Sequence, residues 1–163
     1  MNVVRRRMLR LAFVAAASLA AAVAVYPVTA LEVENTGRGE ATRIALREGG
    51  AFSIVSQNSI YDRPVTEEFV VRLDRRIVLR SVSSPSAAVR EYLGIAEAGE
   101  RHEPAVERDS REIVFRVAMG TPQRLHVGRL EWSFLQLGDH GDRLVIRAIR
   151  RPALFAWLAR AHS

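Results

Sequence analysis

Apolar and polar residues alternate along most of the chain after residue 30, with the period of two that is typical of β-strands. Gly, Pro, Asn and Asp residues separate the alternating runs and predict turns between them. The predicted strands are Leu31–Asn35, Ala41–Leu46, Phe52–Ile60, Val65–Leu73, Ile77–Val82, Ile113–Met119, Arg124–Val127, Leu130–Leu137 and Leu144–Ile149. Short strands with turns between them indicate a mainly all-β fold, either an antiparallel β-sandwich or a partly open barrel.

Two short helices are expected to interrupt this β pattern. Ser84 as N-cap, with Pro85 at the first helical position, predicts a helix that ends at Gly94. Its buried stripe would consist of Val89, Leu93 and Ala96. The polar segment from Gly99 to Pro104 is expected to form a loop.

The second helix is expected to begin at Pro152 and to cover residues 153–161. It carries Phe155 and Trp157, and arginines flank it. Such a helix can cap the open end of a sheet, or it can lie against a membrane or a permease. Phe155 and Trp157 are therefore candidates for a partner surface.

The segment from Phe52 to Leu73 predicts a hairpin with one apolar face. A turn centred on Asp62 and Arg63 sorts apolar from polar positions well, because it places apolar residues opposite one another along the core side. The same register places Asn58 opposite Glu67 on that side. An amide and a carboxylate are costly to bury unless they are hydrogen-bonded. We therefore expect Asn58 and Glu67 to form a polar pair, used either for structure or for binding a ligand or partner.

The N-terminus has the organisation of an export signal. Arg5–Arg7 and Arg10 are followed by an uncharged run from Leu11 to Leu31, and Val28-Thr29-Ala30 is an acceptable cleavage site. The alternative is an uncleaved anchor, since about twenty apolar residues can span a bilayer. Residues 1–30 are thus predicted to be a signal peptide or membrane anchor. Residues 31–163 are predicted to form one periplasmic domain, tethered to the inner membrane by residues 11–31 if the signal is retained.

Composition and charge exclude several function classes. All twenty-four basic residues are arginine, and four of them precede residue 11, which leaves twenty arginines against eighteen acids in residues 31–163. These charges are interspersed, whereas a nucleic-acid binder would show a basic stripe with stacking aromatics. Cysteine is absent, which excludes disulfides and a lipid-modified cysteine.

The sequence also predicts a protein without catalytic residues, metal or cofactor. Its four histidines lack the paired spacing of a zinc site, and Ser59 has no histidine nearby in the chain to act as its base. No Gly-x-Ser-x-Gly elbow occurs, and the absence of lysine excludes lysine nucleophiles. The Asp139–Asp142 segment, which contains His140, is expected to be a solvated turn.

The hairpin carries a family resemblance. Asn58-Ser59-Ile60-Tyr61-Asp62-Arg63-Pro64-Val65-Thr66-Glu67-Glu68-Phe69 resembles a signature of His-Ser-Val, three residues, and Pro-Val-x-Glu-x-Phe. That signature belongs to the bacterial domain of unknown function 1850 family, and the similarity runs from about Leu31 to Leu158. Members of that family are exported or membrane-anchored. They are encoded beside, or fused to, the permease of tripartite ATP-independent periplasmic (TRAP) transporters whose solute receptor is of the TAXI type.

The resemblance implies a non-enzymatic accessory module that contacts the permease or the solute receptor. Ser59, Pro64 and Glu67 match the signature, whereas Asn58 replaces its histidine. A glycine-rich stretch of the family corresponds to Ser83–Arg90, where serine and alanine replace both glycines. We expect a partner interface at Ser83–Leu93 or at the C-terminal helix. The alternative function is a free-standing periplasmic domain that binds a ligand or another envelope component.

Overall fold

Two antiparallel sheets form the body of the protein, as seen in a computed structural model that describes residues 3–46, 49–94, 101–102 and 109–153. The helices are α1 (Val3–Val25), α2 (Ala87–Tyr92) and α3 (Phe134–Leu137). The strands are β1 (Pro27–Asn35), β2 (Glu40–Ala45), β3 (Ala51–Asn58), β4 (Arg63–Val71), β5 (Ile77–Ser83), β6 (Arg101–His102), β7 (Asp109–Ser110), β8 (Glu112–Arg116), β9 (Arg124–Val127), β10 (Leu130–Ser133) and β11 (Arg143–Pro152).

The two sheets face each other across one apolar core. The first sheet has the strand order β2-β1-β11-β8, and the second runs β10-β9-β3-β4-β5-β6, with β7 paired to β5. Alternate residues of both sheets are buried in the same cluster, among them Leu31 and Val33 from β1 and Phe52 and Ile54 from β3. This burial removes apolar surface from water on the inner face of each sheet. The predicted mainly β, antiparallel fold is confirmed, and the arrangement is that of a sandwich.

Several predicted elements differ at their ends, and at two of them the capping residues show the reason. The strand predicted over Leu130–Leu137 stops at Ser133, because Ser133 and Gln136 form a capping box that starts the single turn of α3. The helix predicted from Ser84 begins at Ala87 instead, with Ser86 as its N-cap. It ends before Gly94 as predicted, and Gly94 has the positive φ of 69° that favours glycine at this position.

The packing of α2 also differs from the expected stripe. Val89 is buried, but Leu93 is exposed, and Ala96 lies outside the described residues. Within the predicted loop from Gly99 to Pro104, Arg101 and His102 form strand β6 against β5. The other residues of that loop lie outside the described part of the chain.

The hairpin has the predicted faces but a different register. Asn58 pairs with Arg63, and Glu67 pairs with Ile54, so the predicted pairing of Asn58 with Glu67 is wrong. The turn is centred two residues earlier, because Asn58 caps the loop and Asp62 adopts a left-handed conformation with φ of 51°. The shift moves each residue's partner by four positions, an even number, and so keeps the paired residues of β3 and β4 on their predicted faces. Ile60 and Leu73, which end the predicted strands Phe52–Ile60 and Val65–Leu73, lie outside β3 and β4 and are 61% and 75% exposed.

The N-terminal segment joins the sheet without a linker. Helix α1 ends at Val25, and β1 begins at Pro27, upstream of the predicted cleavage site. Pro27 to Ala30 pair with β11, and Ala30 is only 4% exposed. In the part of the chain that the structure describes, no helix has both the length and the apolar character needed to cross a membrane.

The C-terminal helix predicted over 153–161 lies almost wholly outside the described residues, and so do Phe155 and Trp157. Strand β11 ends where Pro152 pairs with Pro27. The backbone N–H of Ala153 donates to the carbonyl of Tyr26 at 2.9 Å, so the described part of the chain ends beside the junction of α1 and β1.

Candidate functional site

The tip of the β3–β4 hairpin is a compact loop whose shape depends on Asn58. The Asn58 Oδ1 atom accepts hydrogen bonds from the backbone N–H groups of Ile60 and Tyr61, each at 3.0 Å. The Asn58 carbonyl accepts from the backbone N–H of Asp62 at 2.9 Å. Asparagine readily bonds its own backbone in this way. Because these bonds close the loop locally, the side chains of Ile60 and Tyr61 project from its surface, where they are 61% and 42% exposed.

Helix α2 packs beside this tip. The Ser84 hydroxyl, which is buried, donates to the backbone carbonyl of Pro64 at 2.7 Å, and Val89 is fully buried. The Tyr92 ring meets the Tyr61 ring edge to face, with centroids 6.0 Å apart. The two segments in which the chain departs from the family signature, at Asn58 and at Ser83–Arg90, thus lie at the same end of the sandwich.

Together these residues form an exposed apolar surface, which we call the distal aromatic patch: Ile60, Tyr61, Tyr92 and Leu93. Tyr92 is 55% exposed in spite of its contact with Tyr61. Tyrosine combines a large apolar ring with a polar tip, and it is enriched where proteins bind each other. The sequence predicts an interface at Ser83–Leu93. It does not predict that Ile60 and Tyr61 belong to the same surface, because their position depends on the register of the hairpin.

The predicted site at Asn58 and Glu67 is not assembled. The two residues are separated by four positions along the hairpin, or about 13 Å at the usual rise of a strand. Ser59 lies in the exposed loop, and Pro64, the second residue of β4, lies opposite Gln57. Asn58 is therefore a loop-capping residue, and any part that Glu67 plays is independent of it.

A double-mutant cycle tests this separation. If the register is as described, the effects of Asn58→Ala and Glu67→Ala on the free energy of unfolding should add within about 0.5 kcal/mol, as they do for residues more than 7–10 Å apart. Phe52→Leu and Phe69→Leu provide the positive control, because those rings stack with centroids 5.0 Å apart. A coupling free energy of 1 kcal/mol or more between Asn58 and Glu67, measured by urea denaturation, would show that the two side chains interact as the sequence predicts.

Glu68 has a role that the sequence did not predict. Its Oε2 atom accepts a hydrogen bond from the buried Ser81 hydroxyl at 2.9 Å. A register irregularity follows in β4, between Glu68 and Phe69. Glu68 therefore helps to hold β4 against β5 just before this bulge.

A second polar cluster lies at one end of the first sheet, where β1 ends and β11 begins. Asn35 is 1% exposed, and its Nδ2 group donates to Asp142 Oδ2 at 2.7 Å. Its Oδ1 atom accepts from the backbone N–H groups of Gly37 and Arg38, at 3.0 and 3.2 Å. The hydrogen bond from Asn35, with a second from the backbone N–H of Asp139, holds the pKa of the Asp142 carboxyl below its usual range. We call Asn35, Gly138 and Asp142 the polar corner.

Gly138 is required in the polar corner because space is short. A Cβ atom at this position would lie 2.7 Å from Asn35 Nδ2 and 3.1 Å from Asp142 Oδ2. Every group in the polar corner is used to close the loop from Gly138 to Asp142 against the end of β1. The polar corner therefore stabilises the fold. Its signs in the sequence are an Asn at the end of a strand and a turn rich in Asp.

Charges on the outer face of the first sheet are paired across strands. Arg147 lies between two carboxylates, with Nη1 2.5 Å from Glu34 and Nε 2.9 Å from Glu112. These carboxylates raise the pKa of the guanidinium further. Arg43 contacts Glu32 at 2.7 Å in the same way. This is the interspersed solvated charge that the composition predicts, and such exposed pairs contribute little stability each.

The described residues contain no group of three or more His, Cys, Asp or Glu side chains arranged to hold a metal ion. His126 lies 3.6 Å from Glu131, and the exposed His140 has its Nδ1 atom 2.8 Å from the carbonyl of Ala118. Both histidines thus have local structural contacts. The distal aromatic patch is an exposed apolar feature that the fold itself does not explain.

Comparison of the chain with family models, with curated proteins and with solved structures found no match.

Proposed function

We propose that the protein is a non-enzymatic accessory module of a TRAP-type uptake system of the TAXI class, placed on the periplasmic side of the inner membrane. The observation that carries the proposal is the distal aromatic patch at the tip of the signature hairpin. Two tyrosines exposed side by side offer the kind of anchor that dominates protein interfaces. The resemblance of the hairpin to transporter-associated chains supplies the partner class.

The position of the patch favours the solute receptor over the permease as the partner. Strand β4 runs from the patch at Arg63 to Val71, a span of about 26 Å for nine residues. The loop after Val71 lies beside the junction of α1 and β1, since Tyr26 and Leu73 line one groove. If the junction of α1 and β1 lies at the membrane surface, the patch points away from the membrane. A periplasmic receptor can reach it there more readily than a membrane-embedded permease can.

A pull-down from membranes tests the proposal. Replacing Tyr61 and Tyr92 together by serine should reduce capture of a tagged solute receptor about 30-fold or more, since one hot-spot tyrosine contributes about 2 kcal/mol. The matched control replaces Leu130 and Leu135 by serine, because these residues are also exposed and apolar but lie in β10 and α3.

Both variants should remain folded by circular dichroism, because the substituted side chains are exposed. Equal capture by the two variants would contradict the assignment of the patch. Failure of the unmodified chain to capture either receptor or permease would favour the free-standing envelope domain.

A further inference from the structure

The turn between β4 and β5, at the other end of the hairpin, exposes a leucine. Residues 72–76 form a tight loop in which the backbone N–H of Arg72 donates to the carbonyl of Arg76 at 2.9 Å. Arg75 adopts a left-handed conformation with φ of 68°. Leu73 is 75% exposed within this loop. Neither the turn geometry nor the core requires an apolar side chain there.

Tyr26, the residue between α1 and β1, lies beside this leucine. Tyr26, Leu73, Arg72 and Arg150 line one groove. The Arg150 guanidinium donates from Nη2 to the carbonyl of Leu73 at 3.4 Å, which links the end of β11 to the turn. We call Tyr26, Leu73, Arg72, Arg75 and Arg150 the basal surface.

The charge of the basal surface is positive. Arg72, Arg75 and Arg150 are all exposed. Asp74, the acid within the turn, accepts a hydrogen bond from the backbone N–H of Arg76 at 3.1 Å, and its negative charge offsets only one of the three arginines. Exposed apolar and aromatic side chains with arginines around them have the composition of a surface that meets an anionic membrane.

The position of the basal surface points to the same occupant. Helix α1 ends at Val25, with Tyr26 alone between it and Pro27, and its apolar side chains Phe13, Val14 and Val25 are exposed. A membrane surface at the junction of α1 and β1 would bring lipid headgroups to Tyr26 and, through the shared groove, to Leu73. Continuity with α1 therefore favours lipid over a soluble protein at this end.

We propose that the basal surface docks the β-sandwich onto anionic phospholipid headgroups, with Leu73 and Tyr26 entering the interface and Arg72, Arg75 and Arg150 contacting phosphates. Docking would set the height and orientation of the distal aromatic patch above the membrane. The inference rests on the membrane-associated placement proposed above, but it does not depend on any transporter partner.

The absence of cysteine makes a site-specific test possible. The full chain carrying Leu73→Cys is labelled with an environment-sensitive fluorophore and added to vesicles of phosphatidylcholine with phosphatidylglycerol. The matched control is Ile60→Cys, since Ile60 is similarly exposed but lies in the distal aromatic patch. The label at residue 73 should be quenched by headgroup nitroxide lipid, and the label at residue 60 should not.

Charge reversal tests the arginines. The double substitution Arg72→Glu and Arg150→Glu should reduce the fraction of protein whose label at residue 73 is quenched, by about fivefold for each arginine removed. Omitting the anionic lipid should also reduce this fraction. Arg63→Glu with Arg80→Glu makes the same charge change at exposed positions elsewhere and should leave the quenching unchanged. Quenching at residue 73 that is no greater than at residue 60, or that is the same in neutral vesicles, would overturn the proposal. Because the vesicles contain no transporter, failure here leaves the proposed function separately testable.

Discussion

Replacing Asn35 by alanine should lower the free energy of unfolding by about 2–3 kcal/mol, because the substitution removes a buried amide that bonds a carboxylate and two backbone N–H groups. Glu40→Ala is the matched control. Glu40 lies directly opposite Asn35 on β2 but is exposed, so its loss should cost no more than about 0.5 kcal/mol. Chemical denaturation at neutral pH measures both.

The free energy of unfolding that is lost in Asn35→Ala should depend on pH, and the pKa of Asp142 sets the direction of this dependence. Asn35 is the first cause of the lowered pKa of Asp142, so its hydrogen bond favours the charged carboxylate in the folded state. That stabilisation is present above the unfolded pKa of about 4 and is lost as pH falls through the lower folded pKa. The difference in stability between the parent chain and Asn35→Ala should therefore narrow in acid. A difference that stays constant from pH 7 to pH 2 would show that Asp142 is not coupled to Asn35.

The second large effect concerns the start of β1. A chain of residues 31–163 should melt on the order of 10 °C below a chain of residues 27–163, since it lacks the partners of the last four residues of β11. It also loses the 3.0 Å hydrogen bond from the N–H of Leu46 to the carbonyl of Thr29. The control compares a chain of residues 23–163 with a chain of residues 27–163, which also differ by four residues. This truncation removes no residue of β1, and the melting temperature should change little.

The same reasoning predicts the N-terminus in cells. We expect the mature chain to keep residues 27–30, and therefore not to be cut after Ala30 as the small-residue motif suggests. Intact-mass measurement on protein from the membrane fraction decides this. A mature chain that begins at Leu31, combined with equal melting of the two truncated chains, would show that the first four residues of β1 are dispensable.

Much of the fold could be predicted because burial imposes a period of two on each strand. Phe52, Ile54 and Phe69 are apolar for that reason, and they lie in the core as expected. The register could not be predicted in the same way, because a shift by an even number of positions preserves both faces. Only the loop contacts of Asn58 and the backbone of Asp62 select between the two registers, and their effect is not visible in a hydrophobic pattern.

The candidate site was predictable in part for a similar reason. Composition and resemblance pointed to the segment that contains Tyr92, whereas its contact with Tyr61 requires the correct turn. The polar corner was missed because Asn35 and Asp142 are more than a hundred positions apart in sequence and meet only through the pairing of β1 with β11. No local pattern records such a contact.

Photo-crosslinking in membranes tests the central claim most directly, that the distal aromatic patch binds a transporter component. A photoreactive amino acid is placed at residue 61 in the full chain, with residue 130 as the control position on β10. With the transporter expressed, we predict a cross-link from residue 61 to the solute receptor and none from residue 130. Cross-links of equal yield from both positions, or none from residue 61 to either receptor or permease, would contradict the account.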